Sequence, residues 1–155
     1  MREVIGDLFD APELVLGHGV NQQGKMWSGI ALQFAKRYPE MEENYIKYCN
    51  TMFYEEFSSF RSNIFAWSDE DSGRVIFNMF TQELPGANAR LDMILASAIE
   101  ALEITNNLDL GDIALPRIGS GVGGLQWDDV RVMLEVAEGA SAHDNEFVIY
   151  TPEEN

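Results

Sequence analysis

The sequence predicts an α/β domain built on a mixed sheet. Short apolar runs alternate with helical periodicities of ten or more residues, the pattern that crossover connections produce. Two glycine-rich segments each stand where a strand gives way to a helix. No internal repeat, low-complexity tract or Pro/Gly/Ser linker divides the 155 residues, so one domain spanning residues 1–155 is expected.

Each element has its own signal. Glu13–His18 (ELVLGH) is a short apolar run ending on a polar residue, as a buried strand does. Ser28–Tyr38 reads as a helix, with Ile30, Phe34 and Tyr38 recurring every four residues and Ser28 as N-cap. Pro39 stops it, and Glu40–Met52 reads as a second helix carrying Tyr45, Ile46 and Cys49 on one side. Asn63–Trp67 and Val75–Phe80 read as strands around a polar turn at Ser68–Gly73. Ala89–Thr105 carries an apolar stripe of Leu91, Leu95, Ala98 and Leu102, with Asn88 as cap and Asn106–Asn107 as the stop. Asp112–Leu115 is a short buried strand. Asp128–Glu138 is the last helix, with Val130, Leu134 and Ala137 inward, and Glu146–Tyr150 closes as a strand.

Composition narrows the function classes. With 46% hydrophobic and 11% aromatic residues the chain folds rather than stays disordered. Its net charge of −16 repels nucleic acid at long range, so direct nucleic-acid binding is not expected. No stretch approaches the ~20 apolar residues of a membrane helix. The opening MREVIGDLFD lacks the apolar core of a signal peptide, and the lone cysteine, Cys49, suits a reducing compartment. The cytoplasm and a monomer are the expectations. No residue cluster has metal-site spacing, so neither metal nor cofactor is expected.

The chemistry lies in the two loops, Gln22–Gly29 and Gly119–Gly124. Glycine removes Cβ and lets backbone N–H groups approach an anion. A helix following each loop adds its unpaired N–H groups and positive dipole end. An acidic protein can hold a diphosphate this way without lysine or arginine. Neither loop is a Walker A motif, and GSGVGG lacks the position and acidic partner of a dinucleotide fingerprint. A structural reading stands beside each candidate: Asp7 as a turn residue, Tyr150 as strand core, Trp27 as packing on its helix, His18 as a satisfied core histidine, Ser120 as a spacer. Lys25 reads as facing solvent.

The segments GDLF (Gly6–Phe9), HGVNQQGKMWSGIALQFAKRYP (His18–Pro39), LPRIGSGVGGLQW (Leu115–Trp127) and VIYT (Val148–Thr151), in that order, resemble the macrodomains. The branch they resemble holds the terminal ADP-ribose protein glycohydrolases and the fungal-type ADP-ribose-1''-phosphate phosphatases. The resemblance implies a three-layer α/β/α sandwich, and ADP-ribose or a derivative, free or on an ADP-ribosylated macromolecule, as ligand. It implies that Asp7 meets the adenine amino group, with Leu8 and Tyr150 against the base. It implies that Asn21, Gly24, Trp27, Ser28 and Gly29 surround the distal ribose, and that Ile118, Gly119, Ser120, Gly121, Val122 and Gly123 hold the diphosphate.

The resemblance divides at catalysis. The glycohydrolase branch uses a lysine that attacks the anomeric carbon and a partnering aspartate; those positions fall near Gln82 and on Gly123. An amide and a hydrogen cannot replace a nucleophilic amine and its carboxylate, so that mechanism is not expected. The phosphatase branch lacks both residues. There His18 is the candidate acid or base, Asn21 orients the distal ribose or a water, and Ser120 donates to phosphate. Removal of the 1''-phosphate is therefore the first expectation. Binding without turnover, glycosidic hydrolysis by another mechanism, and an acidic interaction protein with a vestigial pocket are the alternatives.

Overall fold

The computed structural model describes residues 1–154. Six strands form one sheet in the order β1 (Arg2–Ile5), β6 (Phe147–Thr151), β5 (Ile113–Leu115), β2 (Val15–Asn21), β4 (Val75–Gln82) and β3 (Ile64–Ser68). Every pairing is parallel except β3 with β4. The four helices are α1 (Gly29–Arg37), α2 (Pro39–Met52), α3 (Leu91–Asn107) and α4 (Trp127–Ala140).

The sheet separates two apolar clusters. Leu16, Ile76 and Val148 pack with Phe34 of α1 and Met41 and Tyr45 of α2. Val15, Phe77, Ile113 and Phe147 pack with Ile94 and Leu102 of α3 and Val130 and Leu134 of α4. Successive strand residues face opposite sides, so near-continuous apolar runs are what a sheet covered on both faces requires. The result is the three-layer α/β/α sandwich. No helix among the described residues is long and apolar enough to cross a membrane.

The boundaries move for identifiable reasons. β2 runs on to Asn21 because its parallel pairing with β4 continues past His18, with an irregularity between Val20 and Asn21. α1 starts after Ser28, which supplies its backbone carbonyl to Leu32 N–H but no side-chain cap bond. α3 starts at Leu91 with Arg90 as N-cap; Asn88 instead donates its side-chain amide to Pro85 O. The edge strand β1 has no period-2 apolar signal, since Arg2, Glu3 and Ile5 are all exposed.

Parallel pairing has one consequence for function. The carboxyl ends of β1, β6, β5, β2 and β4 lie on the same edge of the sheet. The segments after them therefore gather there, which is where open α/β sheets bind ligands.

Gly17 shows how tightly the centre is packed. A Cβ there would lie 2.6 Å from Leu115 Cδ2 and 3.2 Å from Met79 Sδ. Gly17→Val is expected to cost about 1–3 kcal/mol by overpacking, read as a lowered urea midpoint; an unchanged midpoint would contradict this packing.

Candidate functional site

Two cavities open at that edge. One, of about 470 Å³, is walled by both glycine loops: Trp27, Ser28 and Gly29 on one side, and Ile118, Gly119, Gly121, Val122 and Gly123 on the other. The second, of about 500 Å³, lies between Asp7, Leu8, Gln33 and Tyr150 and the chain after β6. Ile30 and Pro116 line both, so the two cavities adjoin across these residues. The loops meet closely: a Cβ on Gly29 would touch Val122 Cγ2 at 3.4 Å.

The loop cavity is built to attract anions. The N–H groups of Gly119, Gly121, Val122 and Gly123, and of Gly29, Ile30 and Ala31 in the first turn of α1, have no acceptor among the described residues. Among the described residues no aspartate or glutamate lines it, although the chain carries 26 of them, while Lys25 does; Arg117 borders it with its guanidinium turned over the Trp127 ring, 5.5 Å from the centroid. The second cavity has the opposite polarity, with Asp7 and Glu153 on its wall.

Several expected residues fall into place. Asp7 accepts the Phe9 N–H through Oδ1 at 2.9 Å, which leaves Oδ2 for a donor in the second cavity. Leu8 and Tyr150 stand beside it. The Tyr150 hydroxyl donates to Glu13 at 2.9 Å, and burial together with that carboxylate pushes its pKa up to about 12. The ring is thus held as a neutral phenol with its position fixed from behind. Lys25, expected in solvent, lines the loop cavity with Nζ 4.9 Å from the Trp27 ring centroid.

Others need correction. His18 does not line the cleft. It is fully buried, stacked 3.9 Å from the Phe34 ring, and its Nε2 lies 2.6 Å from Asn78 Oδ1. Asn78 Nδ2 donates to Phe65 O, so its Oδ1 is the acceptor and His18 Nε2 carries the proton. Burial lowers the pKa to about 4, so the ring stays neutral at pH 7 and has no path to a substrate. Even spacing along β2 aims it into the α1 layer, a direction the sequence motif did not reveal.

Asn21 reaches the loop cavity, but its amide holds the loop. Nδ2 donates to Lys25 O at 2.8 Å, and Oδ1 accepts from Gln23 N–H at 3.0 Å and Lys25 N–H at 3.3 Å. One Nδ2 hydrogen is left for a ligand. Gly24 lies outside the cavity, buried with φ 73° against Ile46 and Cys49. Ser120 also lies outside, and its Oγ donates back to Arg117 O at 2.8 Å. The helix after the second loop does not join the site: Gly124 (φ 85°) turns the chain, and Trp127 packs with Nε1 donating to Glu3.

The motif reading missed Thr81, Pro85, Gly86 and Arg117 on the loop cavity, and Gln33, Pro152 and Glu153 on the other. A Pro–Gly turn just past the end of a strand is a usable signal for Pro85–Gly86. Gln82 lines the cavity, but its Nε2 is tied to Leu84 O and Gly86 O at 2.6 and 2.9 Å. Gly123 has no room for a side chain, since a Cβ would sit 2.7 Å from Gly119 O and 2.8 Å from Ala89 Cβ.

Residues 18–134 match the family described as Macro domain. The chain is 35% identical over 147 residues to the DNA ADP-ribosyl glycohydrolase of Mycobacterium tuberculosis, covering 95% of this chain and 41% of that protein. The chain thus spans about two fifths of the length of that relative. It is 24% identical over 150 residues to the ADP-ribose 1''-phosphate phosphatase of Lodderomyces elongisporus, covering 87% and 91% of the two chains. Among solved structures, the macrodomain of Thermus aquaticus DarG superposes with a TM-score of 0.80 at 29% identity, covering 97% of each chain.

The buried histidine gives a stability test. Its folded pKa of about 4 lies below the unfolded value near 6.5, so the unfolded chain binds the extra proton between them. Stability contributed by neutral His18 is present above pH 6.5 and lost as pH falls towards 4, on the order of 3 kcal/mol. In His18→Gln the fall in unfolding free energy across that window is expected to flatten relative to wild type. Parallel curves for the two proteins would contradict the placement.

Proposed function

We propose, because the chain belongs to the macro domain family, that it binds ADP-ribose or a derivative along the adjoining cavities and hydrolyses a bond at the distal ribose, releasing phosphate from ADP-ribose-1''-phosphate. The observation that carries this reading is the carboxylate-free loop cavity walled by free N–H groups in a protein of net charge −16. Residues 1–155 act as one such domain, and the ligand is a free nucleotide or the ADP-ribosyl group of a macromolecule.

The charge of each cavity orients the ligand. Diphosphate oxygens accept from the α1 first turn and from Gly119 and Gly121–Gly123, with Lys25 flanking. Adenine lies in the second cavity, its amino group on the free oxygen of Asp7 and its face against Tyr150.

The equipment of the loop cavity limits the chemistry. His18 is buried away from it, Gln82 is tied to two carbonyls, and Gly123 excludes a side chain. No carboxylic acid stands ready to protonate a leaving group. Departure of the 1''-phosphate from the anomeric carbon gives an anion stable at neutral pH, so this cleavage needs no general acid. Backbone donors and the Lys25 ammonium stabilise the charge, and water completes the hydrolysis. The same lack of a carboxylate favours a second reading, in which the cleft binds ADP-ribose and does not turn it over.

Titration calorimetry with ADP-ribose tests the binding, and phosphate release from ADP-ribose-1''-phosphate separates the two readings. Heat with phosphate release is the expected result; heat without release supports the binder, and no heat contradicts both. Gly121→Ala and Gly123→Ala sharpen the assignment of the loop. A Cβ on Gly121 meets nothing within 4 Å, whereas one on Gly123 strikes the Gly119 carbonyl. The first is expected to bind ADP-ribose within about threefold of wild type, the second about tenfold or more weakly. Installing the branch residues as Gln82→Lys with Gly123→Asp is expected to lower ADP-ribose affinity rather than create glycohydrolase activity. A gain of that activity would contradict the packing argument.

A further inference from the structure

We infer that Tyr45 of α2, which lines neither cavity, is the positioning residue that aims the Asn21 amide at the distal ribose. The inference rests on the orientation of ADP-ribose proposed above and extends it to the residue behind the site.

With the diphosphate on the first turn of α1 and adenine in the second cavity, the distal ribose falls in the remainder of the loop cavity. Asn21 lines that cavity and not the second one. Its Oδ1 accepts from the N–H groups of Gln23 and Lys25, and its Nδ2 donates to Lys25 O. Those bonds leave the amide one orientation, with a single Nδ2 hydrogen to spare.

The aim of that hydrogen depends on the backbone that carries it. The register between β2 and β4 shifts between Val20 and Asn21, so regular pairing breaks where the loop begins. At this break the Asn21 carbonyl accepts the Tyr45 hydroxyl, which also lies 3.3 Å from Asn21 Oδ1. Cys49, one turn further along α2, brings its Sγ to 4.0 Å from the same carbonyl. A helix on one face of the sheet thus holds the end of a central strand.

The choice of a phenol supports this role. Tyr45 is fully buried in the same apolar cluster as Met26, Phe34 and Met41, and its ring stacks on Phe80 at 6.2 Å. Phenylalanine would fill such a place without the cost of desolvating a hydroxyl. Burial raises the pKa of the phenol, so the group stays protonated and remains a donor. Its bond goes to the one loop residue with an amide hydrogen facing the cavity.

Tyr45→Phe keeps the ring and removes only that bond. Calorimetry compares ADP-ribose with ADP, which has the same adenine and diphosphate and lacks the distal ribose. Tyr45→Phe is expected to lose about three- to tenfold on ADP-ribose and less than about twofold on ADP. Asn21→Ala is expected to lower the same ratio of affinities. Adding Tyr45→Phe to it should then change the ratio by less than about twofold, because both residues act through one group. A purely structural role would lower the thermal midpoint and leave the ratio unchanged. Equal loss on both ligands, no loss on either, or independent effects in the double variant overturns the assignment.

Fluorine NMR of the protein carrying 3-fluorotyrosine reads the same coupling without replacing Tyr45. Its resonance is assigned by elimination, through Phe substitutions of Tyr38, Tyr48, Tyr54 and Tyr150. It should shift with ADP-ribose and stay in place with ADP. A resonance unmoved by ADP-ribose, or moved equally by both, overturns the inference even where Tyr45→Phe does not fold. Failure of the wild type to bind ADP-ribose at all overturns the reading of the cleft, and this inference with it.

Discussion

A backbone N–H group without a protein acceptor is a donor left for a ligand, and this protein concentrates several such groups at one place. The first turn of α1 and the loop Gly119–Gly123 direct them into a shared cavity. Everything around the cavity preserves that arrangement. Parallel pairing of β5 with the first half of β2 sends both chains toward the same edge of the sheet, and glycines let the two loops approach to van der Waals distance. The Asn21 amide shapes the first loop and Leu125 N–H closes the second on Gly119 O. Acidic residues are numerous in the chain, but none of the described ones stands on the cavity wall.

The same packing that builds the anion site removes the means of acid–base chemistry from it. Gly123 is fixed by the Gly119 carbonyl and Ala89, and the Gln82 amide is spent on the turn at Leu84–Gly86. His18 serves the core by joining β2 to Asn78 of β4 under the ring of Phe34. These three positions are where the resemblance to the family places the carboxylate, the nucleophile and the imidazole. What remains is electrostatic: backbone donors and the Lys25 ammonium. That suits hydrolysis of a bond whose leaving group needs no proton.

Much of this was legible in the sequence because the relevant signals are local. Apolar runs and four-residue periodicities marked nine of the ten regular elements, and β1 escaped because an edge strand with exposed charges carries no alternation. The glycine loops were legible as anion sites, since their backbone geometry follows from composition. Side-chain direction was not. His18 and Asn21 lie three residues apart on one strand, yet one is buried beneath α1 and the other reaches the cleft rim. The second helix was expected at the anion and stands away from it, because Gly124 turns the chain in a way that composition does not specify. Glu153 and Gln33 joined the site through tertiary placement alone.

The central claim is that backbone N–H groups of two separate loops grip one diphosphate. The most direct measurement is the amide NMR spectrum of the protein titrated with ADP-ribose. The N–H resonances of Gly29–Ala31 and of Gly119–Gly123 should shift together, with one common midpoint and among the largest changes in the chain. Shifts in only one loop, or two midpoints, would contradict a shared site.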